Sequence, residues 1–137
     1  MSFAGINYLA VAIAAVASFA FGFAWYATLG KRWMAALGMS REELLPGGRH
    51  PWGTLVLTFI AELVMAWMLA GLLGHLGTID VRTGLIAAVS LWVGFVATVM
   101  LVDHRFQRAS WALSLIDGGH WLGVLLLQGV VIGAFGL

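Results

Sequence analysis

Four apolar runs, each long enough to cross a lipid bilayer, take up most of this chain. They extend from about Gly5 to Leu29, Gly53 to Gly74, Thr83 to Val102 and Trp111 to Phe135. A hydrocarbon core of about 30 Å is crossed by about 20 predominantly apolar helical residues. The runs therefore predict an all-α membrane protein, a four-transmembrane-helix bundle forming one domain over residues 1–137, with a single sizeable loop at 30–52. Of the 137 residues, 62% are hydrophobic and 9% charged, against about 25% charged in soluble domains. A water-soluble fold is excluded, and four crossings leave no room for a separate catalytic domain.

The first run carries no charge and has no basic segment before it. A secretory signal normally begins with positive charge and has a shorter apolar stretch. Although Ala15-Val16-Ala17 mimics a cleavage site, the run is expected to be retained as the first helix. It ends in Trp25 and Tyr26, followed by Lys31, Arg32 and Trp33, which together read as an interfacial anchor. In the loop, Ser40-Arg41-Glu42-Glu43 has the form of a capping box opening a short surface helix, and Pro46-Gly47-Gly48 and Pro51 form turns.

Charge sets the expected orientation. Lys31, Arg32, Arg41 and Arg49 in the first loop and Arg105 and Arg108 in the third lie on one side, against Arg82 alone on the other. The positive-inside rule makes the first and third loops cytoplasmic and both termini non-cytoplasmic. A multi-pass protein of the inner (plasma) membrane is expected, with the lipid bilayer as its main partner. A formal net charge of +1 gives no basis for a nucleic-acid partner, and the absence of cysteine removes thiol redox chemistry and thiolate metal sites.

The halves share short matches. Ile13-Ala14-Ala15-Val16 recurs as Ile86-Ala87-Ala88-Val89, and Leu55, Leu57, Leu69 and Gly71 align with Leu113, Leu115, Leu127 and Gly129 at an offset of 58. A duplication would relate two parallel hairpins by a pseudo-twofold axis along the membrane normal. The same offset pairs Glu62 with His120.

Small residues recur at four-residue spacing on every helix: Ala10-Ala14-Ser18-Gly22, Ala66-Ala70-Gly74, Ser90-Gly94-Thr98, and Gly119-Gly123 with Gly129-Gly133. Such stripes let helix backbones approach closely in lipid, where no hydrophobic gain drives association. A tight bundle has no wide pore, so any pathway is expected at a subunit interface. A homo-oligomer is the expected assembly, with one glycine pair of the last helix serving the bundle and the other a neighbour.

Chemistry is sought among residues that are costly in a membrane: Glu62 on the second helix, Asp117 and His120 on the fourth. Glu62 and His120 each stand nine residues in from Gly53 and Trp111, an equal depth of roughly 13 Å. Asp117, His120 and Gln128 fall near one helix face, and Thr54, Thr58 and Glu62 form a second polar stripe. Together they outline a buried polar seam able to bind or pass a proton, an ion or a small solute. The competing reading is a structural or accessory role, in which the same groups only hydrogen-bond helices together. No cofactor is expected, since His75 and His104 belong at opposite faces and His50 in a loop, so no two histidines are placed to hold a haem. A divalent site from Glu62, Asp117 and His120 lacks a spacing motif, and no nucleophile–base pattern marks an enzyme. Trp67, Trp92 and Trp121 sit deeper than an interfacial belt requires, and their buried indole N–H groups need acceptors.

Gly22-Phe23-Ala24-Trp25-Tyr26, Gly30-Lys31-Arg32-Trp33, Gly94-Phe95-Val96-Ala97-Thr98 and Leu113-Ser114-Leu115-Ile116-Asp117-Gly118-Gly119-His120 run in order along the chain, followed by the segment from Gly129 to Phe135. In this the sequence resembles a bacterial and archaeal family of small four-helix membrane proteins catalogued as a domain of unknown function. The resemblance implies the fold and topology and points to Trp25, Tyr26, Trp33, Asp117 and His120 as family positions. It implies no activity, and an aromatic residue often stands in that family where this chain has His120, which argues against a family-wide role for the imidazole.

Overall fold

The computed structural model describes residues 3–136. Helix α1 spans Tyr8–Leu37, the short α2 Arg41–Leu44, α3 Trp52–Leu76, α4 Val81–Leu91, α5 Thr98–Phe106 and α6 Trp111–Phe135. A π-helical segment, Trp92–Ala97, joins α4 to α5, so that Val81–Phe106 forms one continuous span. Four helices of 30, 25, 26 and 25 residues are thus long and apolar enough to cross a membrane. The chain is an all-α membrane protein.

The helix ends follow local chemistry. Asn7 Oδ1 accepts from the Ala10 amide at 3.0 Å and Ser110 Oγ from the Leu113 amide at 3.1 Å, each answering a donor left free by the first helical turn. Gly38 and Gly77 close α1 and α3 in the left-handed conformation at φ 77° and 82°. The capping box at Ser40 forms, with Glu43 N–H donating to Ser40 Oγ and Ser40 N–H to Glu43 Oε1. Two helices run past the ends read from the sequence: the third span continues four residues beyond Val102 to Phe106 and takes in Arg105. Helix α1 continues eight residues beyond Leu29, so Lys31, Arg32 and Trp33 project from a helix rather than a loop. Polar residues with good helix propensity extend a helix past the apolar run, and the break waits for Gly38.

Helix α6 is the centre of the bundle. It packs along α1 on one side and α4 on the other, while α3 packs chiefly on α1. The α1–α6 contact is extensive, whereas α3–α4, its counterpart under a twofold axis, is slight, so the two hairpins are not equal partners. A core of Val11, Ala14, Ala66, Leu69, Ala70, Leu73, Ala87 and Ile132 lies toward the end that carries Asn7 and Asp80. The outer surface is apolar: Leu115 is 76% and Phe95 69% exposed, as side chains facing lipid should be.

Glycines set the α6 contacts. Gly84 and Gly129 meet backbone to backbone, each carbonyl lying where the other's Cβ would be, and Gly133 lies against the Asp80 carbonyl. Gly119 and Gly123 receive the rings of Trp25 and Phe21 of α1. Both glycine pairs of α6 therefore serve the bundle, one toward each neighbour, and neither is left for an oligomer. The Ser90-Gly94-Thr98 stripe instead lies on the outer surface, with open space at Gly94. There Ser90 and Thr98 donate to carbonyls of their own helix at 2.7 and 2.9 Å, as hydroxyls in lipid must.

Candidate functional site

Three consecutive residues of α6, Ile116, Asp117 and Gly118, each accept a hydrogen bond from a neighbouring helix. Trp25 Nε1 donates to the Ile116 carbonyl at 3.0 Å from α1, and Trp92 Nε1 to the Gly118 carbonyl at 2.9 Å from the start of the π-helical segment. The tighter fit beneath these rings is at Gly119. A Cβ on Gly119 would come within 2.9 Å of Trp25, and one on Gly118 within 2.9 Å of the Met100 methyl and 3.8 Å of Trp92. Gly119 thus makes room for the Trp25 indole to lie on the helix and find its acceptor.

Between those indoles, Tyr26 Oη donates to Asp117 Oδ1 at 2.7 Å. His120, one turn on, fills the space left by Gly22, whose Cβ would stand 2.9 Å from Nε2. Its ring is parallel to Phe21 at 6.2 Å, 5.0 Å from Tyr26, and edge-on to Trp121 at 4.6 Å. Tyr26 and Trp25 therefore make contacts within the bundle, and Tyr26 also meets Trp33 edge-on at 5.4 Å. The sequence reading missed the Tyr26–Asp117 pair, although both residues stood among the family positions. Residues inside two helices, 91 positions apart, are linked only by an antiparallel α1–α6 packing that no local pattern reveals.

On its other side Asp117 opens onto a lateral groove of about 450 Å³. Asp117 and Trp121 of α6 lie at its floor, Met65 of α3 forms one wall, and Phe95, Val96, Val99 and Met100 form the other. Asp103, His104 and Gln107 line its polar end. The groove exists because α3 and α5 do not pack closely on each other, leaving α6 uncovered between them. The π-helical segment contributes Phe95 and Val96 to the wall, and such segments are frequent at functional sites.

Glu62 belongs elsewhere. Gln128 Nε2 donates to the Glu62 backbone carbonyl at 3.0 Å and to Ser18 Oγ at 3.1 Å. Glu62 thus meets α6 at Gln128, eight residues past His120, or about 12 Å along the helix. The equal depth expected for Glu62 and His120 presumed upright helices with level ends, whereas α3 leans on α1. The seam is two separate clusters, Tyr26–Asp117–His120 and Ser18–Glu62–Gln128. Thr58 joins neither, its hydroxyl donating to the Thr54 carbonyl at 2.8 Å. Among the described residues, no three His, Asp or Glu side chains gather as a metal centre.

A third polar group closes the α5–α6 turn. Ser114 Oγ lies 2.7 Å from His104 Nδ1 and accepts from Arg105 Nη2 at 2.7 Å, while the Arg105 guanidinium stacks 3.7 Å above Trp111. With two lone pairs and one proton, the Ser114 hydroxyl can accept from Arg105 and still share a hydrogen bond with His104.

A family model described as "Protein of unknown function (DUF1761)" matches residues 9–133. No curated protein and no solved structure matches the chain.

Proposed function

The chain belongs to the DUF1761 family of proteins of unknown function, and from its groove we propose a non-enzymatic membrane protein that binds and passes a small cationic solute at Asp117. One observation carries the reading. The Asp117 carboxylate, about 9 Å in from the Trp111 end of a membrane-spanning helix, is held by Tyr26 on one side and opens to an apolar groove on the other. A carboxylate at membrane depth needs a partner of positive charge or a strong donor, and the Met, Val, Phe and Trp walls suit a solute with apolar flanks. Trp121 at the floor adds an aromatic face for a cation. Loops 38–51 and 107–110 face the cytoplasm in this proposal, by the excess of Lys and Arg at that end, and the termini lie outside. A homo-oligomer is part of it.

The test is binding of a tetraalkylammonium ion to the purified protein, read by tryptophan fluorescence, with uptake into liposomes measured alongside. Saturable binding and uptake in the wild type, both lost in Asp117→Asn, are expected. Equal binding by Asp117→Asn would remove the proposal. The structural reading is favoured by a specific observation, the bridge that Gln128 makes from α6 to both α1 and α3. It predicts variants that lose thermal stability while the protein binds and passes no solute.

A further inference from the structure

Glu62, Ser18 and Gln128 take no part in the groove, and each is almost fully enclosed: Glu62 is 1% exposed, Ser18 and Gln128 0%. The amide of Gln128 is fixed in its sense. Its nitrogen donates to the Glu62 carbonyl and to Ser18 Oγ, and turning it over would set its oxygen against the Glu62 carbonyl oxygen. Gln128 Oε1 consequently has no protein donor among the described residues, and neither has Glu62 Oε1. The Ser18 hydroxyl lies beside the Glu62 carboxyl as well, but its single proton is shared with the Ala15 carbonyl at 3.1 Å and cannot serve both acceptors. A buried acceptor without a donor is destabilising, more so when charged. Two of them on residues in direct contact call for a positively charged guest.

We propose that Glu62 Oε1 and Gln128 Oε1, with Ser18 Oγ beside them, hold one small monovalent cation, either a proton or a Na⁺ stripped of water. The donor set is oxygen alone, as a hard cation requires. A single carboxylate matches a single positive charge and leaves the cluster neutral within the membrane. Asp117 and His120 lie on a different stretch of α6, and among the described residues no other ionisable side chain bonds to Glu62.

Thermal unfolding of the purified full chain tests this, with Na⁺ exchanged for choline at constant ionic strength and, separately, pH varied in Na⁺-free buffer. A midpoint that rises saturably with Na⁺ identifies Na⁺, and one that rises only as pH falls identifies the proton. In either case the response persists in Asp117→Asn and disappears in Glu62→Gln and Gln128→Met. Because Asp117→Asn keeps the response, failure here and failure at the groove are told apart. A wild-type midpoint indifferent to both, or an undiminished response in Glu62→Gln, overturns the proposal. Where the variants do not fold, the wild type suffices. It has three glutamates, of which Glu42 and Glu43 are exposed, so carbon-13 labelling of glutamate carboxyls isolates Glu62. A Glu62 carboxyl signal unmoved by Na⁺ and by pH would equally overturn the site.

Discussion

The Tyr26 hydroxyl and the Asp117 carboxylate meet at 2.7 Å across the α1–α6 interface, 91 residues apart in the chain. The contact joins the tyrosine that ends the first apolar run to the acidic residue that interrupts the last. Tyr26→Phe removes the donor and leaves the carboxylate facing a ring edge. A hydrogen bond to a charged group contributes about 1.5–3 kcal/mol, and Asp117 is partly exposed to the groove, so the lower end is expected. Asp117→Asn retains an acceptor for Tyr26 and should unfold close to the wild type. Thermal midpoints in detergent decide; a Tyr26→Phe midpoint equal to wild type would mean that the pair holds nothing together.

Two glycines at similar spacing in one span should answer oppositely to the same methyl group. Gly84 faces the Gly129 backbone, whereas Gly94 faces open space. Gly84→Ala forces α4 away from α6 and should destabilise by about 1–3 kcal/mol, as overpacking does. Gly94→Ala should be neutral or stabilise by up to about 1 kcal/mol through the better helix propensity of alanine. Midpoints that move together would mean that the close α4–α6 approach is not where the bundle's stability lies.

Much of this fold was legible because a membrane allows few solutions. Length and hydropathy marked four crossings, Ser40 announced its cap, and the small-residue stripes of α1 and α3 do pack inward. What escaped was the relation between helices. Periodicity gives each helix a face but neither its neighbour nor its stagger, so Glu62 was paired with His120 when α3 in fact meets α6 at Gln128. For the same reason Trp25 and Tyr26 read as an interfacial belt, although their polar atoms reach Ile116 and Asp117. The groove was invisible altogether, because it arises from two helices that do not pack closely on each other.

Acid should loosen the turn between α3 and α4. Asp80 caps α4 by accepting from the Thr83 amide at 2.7 Å, and that backbone hydrogen bond holds its carboxyl below the usual carboxylate range. A folded value below the unfolded one contributes stability that is complete above the unfolded value, about 3.9, and is lost as pH falls through the folded value. Asn caps equally well and does not titrate, so Asp80→Asn should match the wild type at neutral pH and become the more stable of the two in acid. Parallel pH profiles would show that the cap is not linked to folding. The effect reaches beyond the turn, since the Asp80 carbonyl is the surface on which Gly133 rests.

Trp92 and Trp121 separate packing from binding. Trp92 Nε1 donates to Gly118, but the ring is not part of the groove lining, whereas Trp121 lies at the groove floor. Trp92→Phe keeps most of the ring and loses one hydrogen bond, so a loss of about 0.5–1.5 kcal/mol is expected, with tetraalkylammonium binding unchanged. Trp121→Ala should instead weaken that binding by a factor of about 5–30, the equivalent of about 1–2 kcal/mol for a cation on an aromatic face. Isothermal titration of the two variants reads both effects without relying on tryptophan fluorescence. If Trp121→Ala binds as the wild type does while Trp92→Phe binds weakly, the solute does not sit in the groove at Asp117, and the π-helical segment becomes the place to look.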